Sequence, residues 1–240
     1  MNRPHRHNKS DMDPVIVIAL WATMFVASHL VISSDAIRPG LIRAIGAIPY
    51  RGLYSLVAFA TFTPLVLAFA HHKHAGPMLW YLRNVAPVRW LVWLLVLLAF
   101  IFFVGSFMNP NPGAIGAPAG KGVRGMLKIT RHPNFVALTI FALAHMLMNG
   151  WTGDVIFFGS IVALGILGGR HQDARKLREL GVPYRALVDE TSFCPGAALV
   201  SGRQHWTATD TPWMAIVLGA VITVVVMMFH PVLFGGHPMG

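Results

Sequence analysis

Long apolar runs, interrupted by short polar stretches, set the pattern of this chain. A helix needs roughly 20 mostly apolar residues to cross the hydrocarbon core of a bilayer. Six runs approach that length, at residues 14–34, 53–70, 90–108, 133–149, 155–169 and 213–234. None shows the alternation of a half-buried strand, and no internal repeat is visible. The pattern predicts an all-α, polytopic transmembrane helical bundle of about six spans. The fifth run is short, but residues 171–180 mix charge signs at helical spacing. They predict a helix that continues out of the membrane until Gly181 and Pro183 stop it. Only residues 150–153 separate the fourth and fifth runs, which predicts a tight antiparallel helix pair. Residues 109–122 are rich in Pro and Gly and read as an extended or turned loop. Residues 1–13 read as an N-terminal, histidine-rich leader, with Met12 as an alternative start. A signal-peptide reading of the first run is disfavoured by Asp11 and Asp13 ahead of it.

Composition narrows the class. The 240 residues are 55% hydrophobic and 12% charged, about half the charge of a soluble domain, and the mean hydropathy is +0.59. The formal charge of +10 suggests nucleic acid only until its distribution is read. The basic residues sit in short clusters between apolar runs, so a lipid bilayer is the expected partner and nucleic acid is not. A single cysteine, Cys194, excludes an intrachain disulfide and any CxxC motif. Sorting Lys and Arg by alternate loops puts thirteen on one side and six on the other. The positive-inside rule then predicts that the richer side is cytoplasmic and that both termini lie outside.

An ionisable residue within a span is costly and marks function by default. His29, near the end of the first run, and His145, in the fourth, are such residues. Neutral imidazole is cheaper to bury than a charged group and carries a metal-ligating nitrogen, hence its use as an axial ligand of haem iron. A second reading stays open for both: a polar side chain satisfied by a neighbouring backbone. Asn134, His145 and Asn149 project within about 60° of one another on a helix, with Ala142 near that line. Such a stripe would take a flat ligand. His132 points roughly the other way, in Thr130-Arg131-His132-Pro133, where Pro133 suits the first turn of a helix. Arg38, Arg124, Lys128 and Arg131 fall on the same side. They read either as membrane-face anchors or as a pocket for carboxylates such as haem propionates. His71, His72 and His74 have metal-like spacing but no Cys or carboxylate beside them in the sequence.

Taken in order, several segments resemble the NnrU family, the membrane family that also contains plant and cyanobacterial 15-cis-zeta-carotene isomerase. They are Ser28-His29-Leu30 with Arg38, Arg51-Gly52-Leu53-Tyr54-Ser55, Asn109-Pro110 and Ile129-Thr130-Arg131-His132-Pro133. Ala142-Leu143-Ala144-His145, Asn149-Gly150, His171-Gln172-Asp173 with Arg175-Lys176, and Thr191-Ser192 follow. The resemblance implies an NnrU-like transmembrane domain over residues 14–205, followed by a C-terminal transmembrane helix at 206–240. It also implies a bacterial inner (cytoplasmic) membrane location. From the isomerase branch it implies a haem b with histidine ligation and an apolar small-molecule substrate. From other members it implies a link to nitrite and nitric oxide metabolism. Carried over by position, His29 and His145 are the metal ligands, and Arg38, Arg131, His132 and Asn149 join them as cofactor-binding residues. From the helical rise, His29 lies roughly 8 Å and His145 roughly 18 Å from the cytoplasmic face, which strains a shared iron.

A more distant similarity, carried by Arg131-His132-Pro133, a helix pair and a charged helix, is to isoprenylcysteine carboxyl methyltransferases. It implies S-adenosylmethionine near His132 and residues 170–210, with Asp173 and Glu179 in place of the usual acidic pair. A third expectation is a non-enzymatic accessory protein that docks nitrogen-oxide reductases through its basic loops.

Overall fold

The computed structural model describes residues 12–108 and 122–235. The leader up to residue 11 and the Pro/Gly-rich loop up to residue 121 lie outside the described residues. Helix α1 (Pro14–Ile32) starts where Asp13 accepts a hydrogen bond from the Val15 amide at 2.7 Å, with Pro14 filling a position that needs no amide. A short helix, α2 (Arg38–Ile45), turns at Gly46 into α3 (Ala47–His71). Then come β1 (Met78–Trp80), α4 (Ala86–Met108), the single turn α5 (Met126–Ile129) and α6 (Pro133–Met148). Strand β2 (Gly150–Trp151) leads directly into the longest helix, α7 (Thr152–Leu180). After it lie α8 (Val182–Glu190), α9 (Ala197–Val200), a 3-10 turn (Ala208–Asp210) and α10 (Trp213–Phe234).

Five of these helices, α1, α3, α4, α7 and α10, are long and apolar enough to cross a membrane. The fourth expected span, α6, has only 16 residues. At 1.5 Å per residue it covers about 24 Å, short of a full hydrocarbon core. It is flanked on both sides, by α4 and by α7, so its backbone is sheltered by protein. α7 runs unbroken from the short turn after α6 into the charged stretch, as the pattern predicts. It ends at Gly181, whose φ of +60° suits a residue without Cβ, and Pro183 opens α8.

The five long apolar helices and α6 form a row, in the order α3, α1, α7, α6, α4, α10. Small residues let neighbours approach closely. A Cβ on Gly219 of α10 would lie 2.8 Å from the Ile101 backbone of α4, and one on Gly165 of α7 would lie 2.2 Å from the Thr139 hydroxyl of α6. Ile18, Phe25, Leu65, Ala142, Phe157 and Phe158 form the largest buried cluster, where α1, α3, α6 and α7 meet. Large apolar side chains such as Phe59, Phe107, Val217 and Met228 point outward, as they would toward lipid. Trp90 and Trp213, near helix starts, are 74% and 68% exposed, in keeping with an interfacial aromatic belt.

The two ends of the row differ. At one end β1 and β2 pair antiparallel, and the Gly153 amide donates to the Ala75 carbonyl at 2.9 Å. Two or three residues are too few for alternation to announce this ribbon in the sequence. The opposite end gathers α2, α5, α8, α9 and the 3-10 turn, and with them the denser cationic loops. We call these the ribbon end and the basic end.

Candidate functional site at the basic end of the bundle

His29 lies one turn from the end of α1. Its Nδ1 is 2.7 Å from the Phe25 carbonyl oxygen. A carbonyl only accepts, so Nδ1 carries the proton and the neutral ring keeps its lone pair on Nε2. Phe25 and Tyr54 pack edge-on against the imidazole at 4.6 and 5.5 Å. The ring lines a cavity of about 110 Å³ between α1, α3, α6 and α7. His171 lines the same cavity and donates from Nε2 to the Ser33 carbonyl at 3.0 Å, which leaves the lone pair of a neutral ring on Nδ1. Two imidazoles thus share one cavity, but the second is His171 and not His145.

His145 sits elsewhere. Its Nδ1 donates to the Phe141 carbonyl at 2.8 Å, and its ring stacks on Phe158 of α7 at 5.0 Å. The cavity that His29 lines has Leu164 and Gly168 of α7 in its wall. Six to ten residues of helix separate them from Phe158, or roughly 9–15 Å. The two histidines therefore occupy different depths, one near each end. Asn149 belongs to the ribbon end: its Nδ2 donates to the His145 carbonyl at 2.9 Å, and its Oδ1 accepts from Arg83 at 3.4 Å. Asn134 is exposed and Ala142 is fully buried, so the stripe expected along α6 is not one continuous surface.

His132, 4% exposed, is part of a closed polar cluster. Asp173 is its centre. One carboxylate oxygen accepts from His132 Nε2 at 2.7 Å and from the Tyr184 hydroxyl at 2.8 Å. The other accepts from Arg131 Nε and Nη2 at 2.8 and 2.7 Å. The cluster locks the start of α6 to the charged part of α7 and to α8. Phe135 and Phe193 pack around the His132 ring at 5.7 and 5.3 Å. Arg38 is paired with Glu179 and lies 5.6 Å over the Tyr50 ring. Lys128 is paired with Asp210 at 2.8 Å. Those hydrogen bonds, first from Lys128 and then from Thr207, lower the Asp210 pKa to about 2. Three members of the expected cationic collar, Arg38, Lys128 and Arg131, thus already hold carboxylates of this chain.

At the ribbon end, His74 donates from Nδ1 to the fully buried Asp154 at 2.7 Å. The sequence spacing of His71, His72 and His74 gave no hint of this partner, 80 residues away. Among the described residues no group of three or more His, Cys, Asp or Glu side chains is arranged to hold a metal ion.

The NnrU protein family profile matches residues 17–238, nearly the whole chain. This chain belongs to the NnrU family. NnrU relatives in plants include the 15-cis-zeta-carotene isomerase, chloroplastic, of Zea mays, 26% identical over 229 residues. That alignment covers 91% of this chain and 60% of the maize protein. The enzyme of the same name from Arabidopsis thaliana is 26% identical over 204 residues, which cover 80% of this chain and 54% of that protein. The chain thus spans little more than half the length of these relatives. No solved structure matches it significantly.

Sequence reasoning passed over His171, Asp173 as a hub, Tyr184 and Arg175. The signal was present in part, since His171-Gln172-Asp173 and Arg175-Lys176 belong to the segments that resemble the family.

Proposed function

We propose that this NnrU protein works as an isomerase-like membrane protein on an apolar small molecule, with a haem b held through His29. The observation that carries the reading is the state of the His29 ring. The Phe25 carbonyl fixes its tautomer and orientation and leaves Nε2 as the donor, the arrangement usual for a metal-bound imidazole. The donor chemistry therefore fits a haem iron. The adjoining cavity, about 110 Å³, is too small to enclose a macrocycle, so the fit rests on the donor and not on enclosure. When bound, haem would supply a one-electron couple tuned by its axial ligands and by the apolar surroundings. The chain's own part is to hold Nε2 in place with Phe25 and Tyr54, and to offer His171 across the cavity as a second imidazole. The names of the plant relatives support the isomerase-like role and the apolar substrate class. The proposal places the protein in a bacterial cytoplasmic membrane with the basic end inside, on the strength of the thirteen-to-six distribution of Lys and Arg.

The test is the absorption spectrum of detergent-purified protein from cells supplied with haem, recorded before and after dithionite. A Soret band that shifts on reduction is expected. His29→Ala should abolish or strongly shift it, whereas His145→Ala should leave its position unchanged. A wild-type sample without a Soret band, or a His29→Ala spectrum identical to wild type, would overturn the reading.

A further inference from the structure

Helix α2 buries none of its eight residues. A helix that short does not hold together by itself in water, so something must cover its apolar side. Ile37, Leu41 and Ile45 recur at four-residue spacing and share a face, with Ile42 beside them. The protein covers that face only in part: Leu41 and Ile42 are half-buried, and Ile37 and Ile45 are exposed. Past the Gly46 turn, Ile48 in the first turn of α3 is 80% exposed.

The place of this elbow says what covers it. α2 is strung between α1 and α3, two helices that cross the membrane, so it lies where the bundle leaves the hydrocarbon. The Tyr50 hydroxyl pins it there by donating to the Ile32 carbonyl, the last of α1, at 3.1 Å. Ile48, Phe59 and Phe62 project within about 60° of one another on α3, and all three are exposed. One apolar stripe therefore runs from the elbow into the lipid-facing side of a spanning helix. That is the setting of an amphipathic helix lying in the plane of the interface.

Two cations complete the surface. Arg43 points roughly opposite Ile45 on α2, and Arg51 lies within about 60° of Ile48 on α3. Both are exposed, and among the described residues neither has a carboxylate within ion-pair distance. Asp35 and Glu179, beside the start of α2, are taken up by Arg178 and Arg38. Long arginine stems reach from apolar surface to headgroup level, and the guanidinium fork matches phosphate oxygens. We propose that the α2–α3 elbow is a docking surface for anionic phospholipid. Its isoleucines enter the acyl boundary, and Arg43 and Arg51 donate to lipid phosphate oxygens. A free phosphate would satisfy the arginines and leave the isoleucines in water; a lipid serves both. The surface includes neither His29 nor its cavity, so it stands or falls apart from the haem reading.

Full-length protein with bimane on Ile45→Cys, in a Cys194→Ser background, is reconstituted into vesicles of phosphatidylcholine and phosphatidylglycerol. Either lipid carries bromine on its acyl chains as the quencher. Both should quench the label, and phosphatidylglycerol should do so with at least fivefold preference. Each arginine contributes about fivefold at an anionic surface, so Arg43→Gln with Arg51→Gln should bring the ratio to about one. Arg185→Gln, which removes an exposed charge on α8, should leave the ratio unchanged. A label that neither lipid quenches puts the elbow outside the bilayer, as a partner protein covering it would, and overturns the proposal. So does equal quenching by the two lipids in the wild type, or an undiminished preference in the double variant. Loss of the preference on adding inorganic phosphate at fixed ionic strength would assign the arginines to a free anion and overturn it as well. Preferential quenching in a sample without a Soret band would sink the haem reading and leave this one standing.

Discussion

Asp173→Asn changes one charge and almost no volume, which makes it a clean probe of the cluster that ties α6, α7 and α8 together. In the wild type the two carboxylate oxygens accept four hydrogen bonds, two from Arg131 and one each from His132 and Tyr184. An amide offers one acceptor oxygen; its NH2 can turn toward His132 and Tyr184, which can accept, but the negative charge that faces Arg131 is lost. Arg131, with an 11% exposed side chain, would then face an amide in place of its counter-ion. Removing one member of a buried ion pair costs about 3–5 kcal/mol, because the other charge stays buried. Tyr184→Phe removes a single bond from the same oxygen and leaves the charges matched, a loss of about 1 kcal/mol. Unfolding in mixed micelles with a rising fraction of sodium dodecyl sulfate, followed by tryptophan fluorescence, measures both. Asp173→Asn should destabilise several-fold more than Tyr184→Phe, and proteolysis near Gly181 should quicken with it. If Asp173→Asn stays within 1 kcal/mol of wild type, or costs no more than Tyr184→Phe, the cluster is not the lock described.

Two further perturbations reach other parts of the fold. Gly219→Val places a branched side chain against the Ile101 backbone, where a Cβ alone would be 2.8 Å away; it should cost about 1–3 kcal/mol by overpacking, and cysteine crosslinking between α4 and α10 should fall in parallel. Asp210, whose pKa is lowered to about 2 by Lys128 and then Thr207, contributes stability at pH values above the ordinary carboxylate range. That contribution should disappear as pH falls from about 4 toward 2, read as faster cleavage within residues 203–212, and Asp210→Asn should cleave rapidly throughout and remove this component of the pH dependence.

Much of the architecture is legible in the sequence because its causes are local. Apolar length marks the spans, and Gly181 with Pro183 marks the end of α7 through backbone conformation alone. The facing of the helices is less legible. α1, α4 and α10 are apolar nearly all round, so no polar face tells which side packs on protein. Periodicity therefore identifies His29 as an unusual residue but cannot say that it shares a cavity with His171, whose hydrogen bond to Ser33 spans 138 positions of sequence. The same holds for Arg131 and Asp173, 42 residues apart. The charge on Arg38, Lys128 and Arg131 is visible in the sequence. Its neutralisation is not, because the matching carboxylates arrive on other elements.

The order of helices in the row bears on how the molecule is made. α1 and α3 can associate as soon as both have been synthesised, and so can α4 and α6. The two pairs meet through α7, which enters between α1 and α6 and is complete only at residue 180. Until α7 is made, the finished fold offers no extensive helix contact that joins the two pairs. The cavity beside His29 has no α7 wall in that interval, and the half-buried Arg131 has no Asp173 to receive it. α7 is the last wall of the cavity to be built, so any occupant of the cavity must enter after its insertion.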